Sequence, residues 1–133
     1  MRTCMFPCNL SKYDILGSFL KNGFVDYGTR LDLSIGDEVY IYTGAPYSAI
    51  FLKCVVRVVL NEEETINDEE FLFDNEGNSD ISKKPRYVRL VPTKNYLNKI
   101  DKVNSNKLKE HGVKGFAFQV ELCDETINYL NSI

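Results

Sequence analysis

The strongest pattern along the chain is a two-residue alternation of side chains between residues 39 and 60. Residues 39–42, VYIY, predict a short strand with aliphatic side chains on one face and tyrosines on the other. Residues 49–60 predict one long strand whose apolar row faces the core: Ile50, Leu52, Cys54, Val56, Val58 and Leu60. The opposite row, which begins at Phe51, mixes apolar and charged residues and should be half-exposed. A strand of this length in so short a chain predicts a sheet that coils into a barrel.

Weaker patterns predict the elements on either side. Apolar residues recur at helical spacing after Ser11, which has the character of a cap, and Asn22-Gly23 ends that helix. The other expected elements are a strand at 3–8, the helix at 11–22, an extended segment at 24–28, a strand at 86–91, a helix at 104–111, a short strand or extended segment at 116–118 and a helix at 121–133. We predict an α+β fold in the order β-α-β-β-β-α-β-α, forming a single domain over residues 1–133.

Composition and charge narrow the class of protein. The chain has 133 residues, of which 44% are hydrophobic and 26% charged, as in ordinary soluble globular domains. No apolar run approaches the ~20 residues of a membrane span, and the N-terminal residues lack the features of a secretion signal, so we expect a cytoplasmic protein with no membrane partner. The net charge of −3 argues against a broad basic surface for nucleic acid and requires any such affinity to come from a local basic patch.

Metal and cofactor sites are not indicated. The chain has four cysteines and one histidine, without a C-x-x-C pair. Cys4 and Cys8 point the same way in the first predicted strand but lie about 13 Å apart, too far for one metal or one disulfide. We expect buried thiols in a reducing compartment, no metal and no cofactor. His111, beside Gly112 at a predicted helix end, is expected to have a structural role.

Residues 61–84 form an acidic, turn-rich insertion around a short apolar piece. Its composition is typical of a solvated loop at the open end of a barrel. A clustered-carboxylate cation site is the alternative, although the spacing does not match a calcium-binding loop.

Candidate chemistry is aromatic. No nucleophile triad, phosphate-binding loop or dinucleotide fingerprint is present, whereas five tyrosines fall within residues 13–47. Tyr27 with Asp26 and Asn9, together with the Thr43-Gly44 corner, offers a stacking face, an acceptor and backbone donors for a planar base. Alternatively, the tyrosines simply fill the barrel and its rim.

Several segments resemble a known family. FPCN at residues 6–9, YDIL in the first helix, GDEVYIYTGAPYSAIFLKCVV at 36–56 and LKEHGVKG at 108–115 are similar to EVE-like domains of the PUA superfamily, which also includes the ASCH and YTH domains. The resemblance implies a small PUA-like mixed β-barrel of about five to six strands with flanking helices. It also implies RNA or DNA binding, because several relatives take a modified base into an aromatic-lined pocket.

The resemblance can be carried over residue by residue. It places the base pocket at Asn9, Asp26, Tyr27, Tyr42, Thr43 and Gly44. In these relatives a tryptophan often stands where this chain has Tyr27, and the chain contains no tryptophan. The outward strand positions of Lys53, Arg57 and Arg89 make these three residues the expected phosphate contacts.

The leading hypothesis is a non-enzymatic module that recognises a modified nucleobase in RNA or DNA. A second hypothesis is an ASCH-like hydrolase of acylated nucleosides, in which Lys21 or Lys53 would act beside a threonine or glutamate. A third is a protein-interaction domain that does not bind nucleic acid and whose tyrosines are covered by other side chains. The oligomeric state is left open.

Overall fold

A computed structural model describes residues 1–9, 14–60 and 86–133. The strands are β1 Thr3–Cys8, β2 Val25–Thr29, β3 Glu38–Thr43, β4 Ala49–Leu60, β5 Arg86–Asn95 and β6 Val120–Glu121. The α-helices are α1 Ile15–Asn22, α2 Ser105–Glu110 and α3 Asp124–Asn131, and a 3₁₀ turn covers Ile100–Lys102. The acidic insertion predicted at 61–84 lies outside the described residues.

The six strands form one mixed sheet in the order β2-β5-β4-β3-β1-β6. β1 pairs in parallel with β3, and the other neighbouring strands pair antiparallel. The predicted α+β class, a small PUA-like mixed barrel of five to six strands with flanking helices, is confirmed.

Two side-chain contacts join the opposite ends of this sheet. β2 and β6 are the outermost strands in the hydrogen-bonded order. Nevertheless, Gln119 Nε2, next to β6, donates to the carbonyl oxygen of Gly28 in β2 at 2.8 Å. The hydroxyl of Tyr27 in β2 likewise donates to the carbonyl oxygen of Pro7 in β1. The sheet is therefore curled so that its two edges face each other, and these contacts bridge the gap.

Both faces of the sheet are covered. The barrel interior is a core that includes Phe6, Val39 and Leu90, with Phe19 of α1 packed against it. The other face carries a second core around Tyr40, which the chain after β5 covers. The tyrosine and aliphatic faces predicted for residues 39–42 are confirmed, because Val39 and Ile41 lie in the first core and Tyr40 and Tyr42 in the second.

Three register shifts lie along the long strand β4, and at two of them β4 carries an extra residue that breaks its simple alternation. At the first, Ile41 faces Leu52 while Tyr42 faces Ile50, so Phe51 is an extra residue. Ile50 consequently lies in the second core, whereas Phe51, which we expected to be half-exposed, is buried in the first. At the second of these two shifts Arg57 is the extra residue, and Val58 is only half-buried. The predicted inward row is correct at Leu52, Cys54, Val56 and Leu60 and wrong at the positions next to these bulges.

Local capping sets the helix ends. The side chain of Asp14 accepts a hydrogen bond from the Gly17 backbone N–H at 3.0 Å, which makes Asp14 the N-cap of α1 in place of the predicted Ser11. Gly23 closes α1 with a φ of 78°, as expected for a left-handed cap. α2 begins after its N-cap Asn104, whose side chain accepts from the Lys107 backbone N–H at 2.9 Å.

Three other predictions need correction. Residues 24–28 were expected to be merely extended, but the chain forms the strand β2 at Val25–Thr29 because these residues pair with β5. Residues 116–118 form a bend, and the last strand is β6, which pairs with β1. Finally, three cysteines are buried as predicted, but Cys123 is exposed because it is the N-cap of α3 and lies outside the buried row of that helix.

Candidate nucleobase site

The predicted site residues from three separate parts of the chain meet at one end of the barrel. β1 and β3 run parallel with Cys8 opposite Thr43, so both strands end at the same edge. The Gly44 N–H donates to the Cys8 carbonyl oxygen at 3.4 Å and extends this pairing by one step. Asn9, which is exposed, follows Cys8 directly. Asn9 and Gly44 therefore lie side by side at the rim.

Tyr27 reaches this rim from the other edge of the sheet. Its hydroxyl donates to the carbonyl oxygen of Pro7, two residues before Asn9. The Tyr27 ring is half-buried and lies 5.3 Å from the ring of Phe6, tilted by 54°. One side of Tyr27 thus contributes to the barrel core while the remainder is accessible at the rim.

The thiol of Cys8 lies beside Tyr27. Burial raises the pKa of Cys8 to about 11, and hydrogen bonding with the Tyr27 hydroxyl acts in the opposite direction. Cys8 is therefore a neutral thiol at physiological pH and has little reactivity as a nucleophile.

Asp26 and Arg89 form a bidentate ion pair across β2 and β5. Arg89 Nε and Nη2 donate to the two carboxylate oxygens of Asp26 at 2.8 and 3.0 Å. The Asp26 side chain is only 3% exposed and that of Arg89 24%. The guanidinium also lies over the ring of Phe24, with 4.1 Å between Cζ and the ring centroid. This arrangement holds the Asp26 carboxylate in place, and it commits the predicted phosphate contact Arg89 to an internal pair.

Tyr42 and Thr43 are built into the protein. Tyr42 is 5% exposed, lies in the second core and stacks on Phe116 with centroids 4.6 Å apart. It therefore faces away from the core that Tyr27 contacts. Thr43 is fully buried, and its hydroxyl donates to the Ala49 carbonyl oxygen at 3.2 Å. Among the predicted pocket residues, Asn9, Tyr27 and Gly44 lie at the rim. The Asp26 side chain lies on the face of β2 opposite Tyr27, where it pairs with Arg89, and Tyr42 and Thr43 are buried.

The other two predicted phosphate contacts differ from each other. Lys53 Nζ pairs with Glu38 Oε2 at 2.9 Å, and it lies 5.7 Å from the centroid of the Tyr40 ring. Lys53 therefore belongs to the sheet face that carries Tyr40, opposite the barrel interior. Arg57 is exposed at the second bulge of β4.

A shallow cleft of about 300 Å³ lies away from the rim, between the loop after α2 and the start of α3. It is lined by Gly112, Val113, Lys114, Gly115, Val120, Glu121, Leu122, Cys123 and Thr126. Hydrogen bonding with the Thr126 side chain and with backbone N–H groups at the start of α3 lowers the pKa of the exposed Cys123. His111 stacks on Tyr129 with ring centroids 3.7 Å apart, which agrees with the structural role expected of it.

Three residues that shape the site were not among the residues predicted for it. Phe24, Phe116 and Gln119 each contact a predicted site residue or its neighbour from a distant part of the chain. Phe24 is the first residue of the segment predicted as extended, and Phe116 begins the predicted short strand or extended segment at 116–118. Gln119 lies just after that segment and was part of no predicted element.

The described residues contain neither a candidate metal site nor a helix that could span a membrane. Within residues 1–9, 14–60 and 86–133, no three His, Cys, Asp or Glu side chains are grouped closely enough to hold a metal ion. No helix in the same part of the chain has the length and apolar character needed to cross a membrane.

Comparison with known proteins places the fold. No protein-family model matches the chain, and neither does any curated protein sequence. Among solved structures, the ASCH protein of Zymomonas mobilis superposes with a TM-score of 0.61 at 10% identity, over 99% of this chain and 95% of that one. A protein of Pseudomonas syringae gives 0.64 at 10% identity, over 98% and 97% of the two chains. A hypothetical protein of Leishmania major gives 0.62 at 11% identity, over 99% and 93%.

These likenesses concern the fold. The neighbours include an ASCH protein, and the likeness shows that this chain shares its fold. The narrower resemblance to EVE-like domains stays a prediction. At identities of 10–11% no residue role can be transferred from these structures.

Proposed function

We propose that this chain is a PUA-like nucleic-acid-binding module that accepts a modified nucleobase at the rim formed by Asn9, Tyr27 and Gly44. One observation carries the proposal: the Tyr27 hydroxyl bonds to the Pro7 carbonyl and so holds a half-exposed aromatic ring at the shared end of β1 and β3. An aromatic ring held on a rigid scaffold binds a base by stacking at low entropic cost.

The groups around Tyr27 supply the polar part of base recognition. Asn9 has an amide with both donors and acceptors, which suits the edge of a base. Asp26 is fixed by both of its carboxylate oxygens, so its neighbour Tyr27 is held in a defined position. A site with prearranged groups loses less freedom on binding than one on mobile loops.

The test is a titration of fluorescein-labelled RNA and DNA oligonucleotides, each carrying one methylated, hydroxymethylated or acetylated base or none, at low salt. We expect one modified oligonucleotide to bind at least tenfold more tightly than its unmodified counterpart. Tyr27→Ala should abolish this preference, while Tyr27→Phe, which keeps the ring, should retain it. The proposal is wrong if no oligonucleotide binds, or if the preference survives Tyr27→Ala.

A hydrolase of acylated nucleosides is the second candidate, and the Lys53–Glu38 pair favours it. The two side chains are partly buried, at 19% and 25% exposure, and their charged atoms are 2.9 Å apart. A lysine beside a carboxylate can exchange a proton during amide hydrolysis. Because this pair lies on the Tyr40 face of the sheet, such an activity would use a site other than the Tyr27 rim.

Turnover assays separate the two candidates. Hydrolysis of N4-acylcytidine that is lost in both Lys53→Met and Glu38→Gln, with Tyr27→Ala still active, would identify the hydrolase. Activity that survives Lys53→Met combined with Lys21→Met would eliminate the lysine mechanism. The binding module predicts no turnover.

A further inference from the structure

The net charge of −3 conceals an uneven distribution along the sequence. Residues 61–85 contain nine of the nineteen acidic residues and only two lysines. The rest of the chain has 14 Lys and Arg against ten Asp and Glu. The negative total is therefore no reason to exclude contacts between the barrel and phosphates, because screening makes such contacts depend on local charge.

The positive charge concentrates in residues 99–114. This segment contains five lysines, which we call the lysine strip: Lys99, Lys102, Lys107, Lys109 and Lys114. Its acidic residues are Asp101 and Glu110. All of the strip except the half-buried Lys99 is exposed. A run of this composition is the local basic patch that nucleic-acid binding by this chain requires.

The strip rests on a fixed support. Val103, Leu108 and Val113, which lie between the lysines, are buried in the second core at 0%, 0% and 6% exposure. These three buried side chains hold the backbone of the segment against the second core. The lysines between them point away from that core. The Ile50 N–H donates to the Val103 carbonyl oxygen at 3.1 Å and ties the segment to β4 as well.

Aromatic rings adjoin the strip. Lys109 Nζ lies 5.9 Å from the centroid of the Phe116 ring, which stacks on Tyr42. Phe118, two residues further on, is 78% exposed. An exposed phenylalanine is costly to leave in water, and next to lysines it provides a face on which a base can stack.

The same loop leads to the nucleobase site. Gln119, the residue after Phe118, donates its side-chain amide to the Gly28 carbonyl oxygen at 2.8 Å. Gly28 follows Tyr27 directly. Phe118 is therefore held close to the rim, and the lysine strip precedes it in the chain.

We propose that the lysine strip and Phe118 form a track for the backbone of a single-stranded nucleic acid whose target base lies at the Tyr27 rim. This inference deepens the proposed function and rests on it. It replaces Lys53 and Arg89 as phosphate contacts, because both are paired with carboxylates inside the protein. Single strands fit better than duplexes, because the track combines phosphate-binding cations with a ring that needs an unpaired base.

The test measures the binding of 12-nucleotide oligouridylate and oligothymidylate by fluorescence anisotropy as a function of salt concentration. The variant Lys102→Gln/Lys109→Gln/Lys114→Gln should reduce the slope of log K against log salt by about 2, since each single-strand phosphate contact contributes roughly 0.7. Arg30→Gln, which removes an exposed charge elsewhere, is the control and should leave the slope unchanged.

A second pair of variants tests the stacking ring. Phe118→Ala should weaken binding about tenfold and leave the slope of log K against log salt unchanged. Ile35→Ala, which shortens another exposed apolar side chain, should have no effect. Circular dichroism of each variant establishes that the fold is retained.

The outcomes distinguish the track from the base site. An unchanged slope in the lysine variant, with binding still sensitive to Tyr27→Ala, overturns the track and leaves the proposed function standing. A reduced slope without any effect of Tyr27→Ala supports the track and overturns the base site. If Arg57→Gln reduces the slope of log K against log salt more than the lysine variant does, the phosphates bind on β4 and the track is refuted. Absence of binding by either oligonucleotide at low salt refutes the track, whereas the proposed function is refuted only if the modified oligonucleotides also fail to bind.

Discussion

The hydroxyl of Tyr27 in β2 bonds to the carbonyl oxygen of Pro7 in β1, although β5, β4 and β3 lie between these strands in the sheet. This hydrogen bond helps to close the barrel, and the residue that donates it is also the centre of the candidate nucleobase site. Stability and binding are linked at this one side chain, and conservative variants can separate them.

Removing the Tyr27 hydroxyl tests its contribution to closure. Tyr27→Phe leaves the Pro7 carbonyl without this partner, and we expect a loss of about 1 kcal/mol in the free energy of unfolding. Urea denaturation followed by circular dichroism measures it. Tyr47→Phe, at a tyrosine that is 50% exposed, is the control and should change stability by less than about 0.5 kcal/mol. If both variants lose the same free energy of unfolding, the hydrogen bond to Pro7 does not stabilise the barrel more than an exposed tyrosine hydroxyl does.

The Asp26–Arg89 pair should contribute more to the stability of the fold than a surface ion pair does. Asp26→Asn keeps the shape but leaves the Arg89 charge partly buried without its carboxylate, and we expect a loss of about 2 kcal/mol in the free energy of unfolding. The matched control is Asp32→Asn, which breaks the pair with Arg86 at a side chain that is 86% exposed and should cost less than about 1 kcal/mol. The expectation is wrong if Asp32→Asn lowers the free energy of unfolding by as much as Asp26→Asn does.

Buried thiols should make the protein sensitive to alkali. Burial raises the pKa of Cys54 to about 12 and that of Cys4 to about 11, so the folded state keeps these protons after the unfolded chain has released them. Their contribution to stability is therefore complete below the unfolded pKa, about 8.5, and is lost as the pH rises through the folded values.

Urea denaturation at pH 7.5 and 10.5 measures this loss. Cys54→Ala should reduce the difference in the free energy of unfolding between the two pH values. Cys123→Ser, which alters the exposed thiol, should leave that difference as in the unmodified protein. A difference unaffected by Cys54→Ala would contradict the assignment to this thiol.

Thiol reactivity should divide the cysteines into two classes. Cys123 is exposed, and hydrogen bonding to Thr126 lowers its pKa, whereas Cys4, Cys8 and Cys54 are buried. We expect Ellman's reagent at pH 8 to modify one thiol rapidly in the folded protein and the other three only in denaturant. Cys123→Ser should remove the rapid phase, and Thr126→Val should slow it. A rapid phase that persists in Cys123→Ser would show that the core opens readily.

The sequence was sufficient for the parts of the fold that depend on local periodicity. The inward positions of Val88 and Leu90, and the two faces of β3, follow from alternation alone. Alternation could not reveal the bulge at Phe51, because an extra residue in one strand is defined only by its partner strand. β2 was missed as a strand for a similar reason: Asp26 and Gly28 lack strand character until β5 supplies their pairing.

The residues predicted for the base pocket do not all lie together in the structure. Asn9, Tyr27 and Gly44 lie at the rim, and their role in binding stays a prediction. Tyr42 does not lie there, because strand alternation places it on the opposite face, where Phe116 covers it. The pairing of Asp26 with Arg89 spans 63 residues and depends on strand order, which no local pattern contains. Outward-facing positions were therefore a poor guide to which cations remain available for a ligand.

The position of β1 inside the sheet has a consequence for how the protein reaches its native state. Arg2, next to β1, contacts Asp37 35 residues away and Glu121 119 residues away, and β1 itself lies between β3 and β6. Because β6 lies far along the chain from β1, one side of β1 stays unpaired during synthesis until β6 has been made. Such long-range pairing slows folding and leaves the unpaired side of an apolar strand open to aggregation in the meantime.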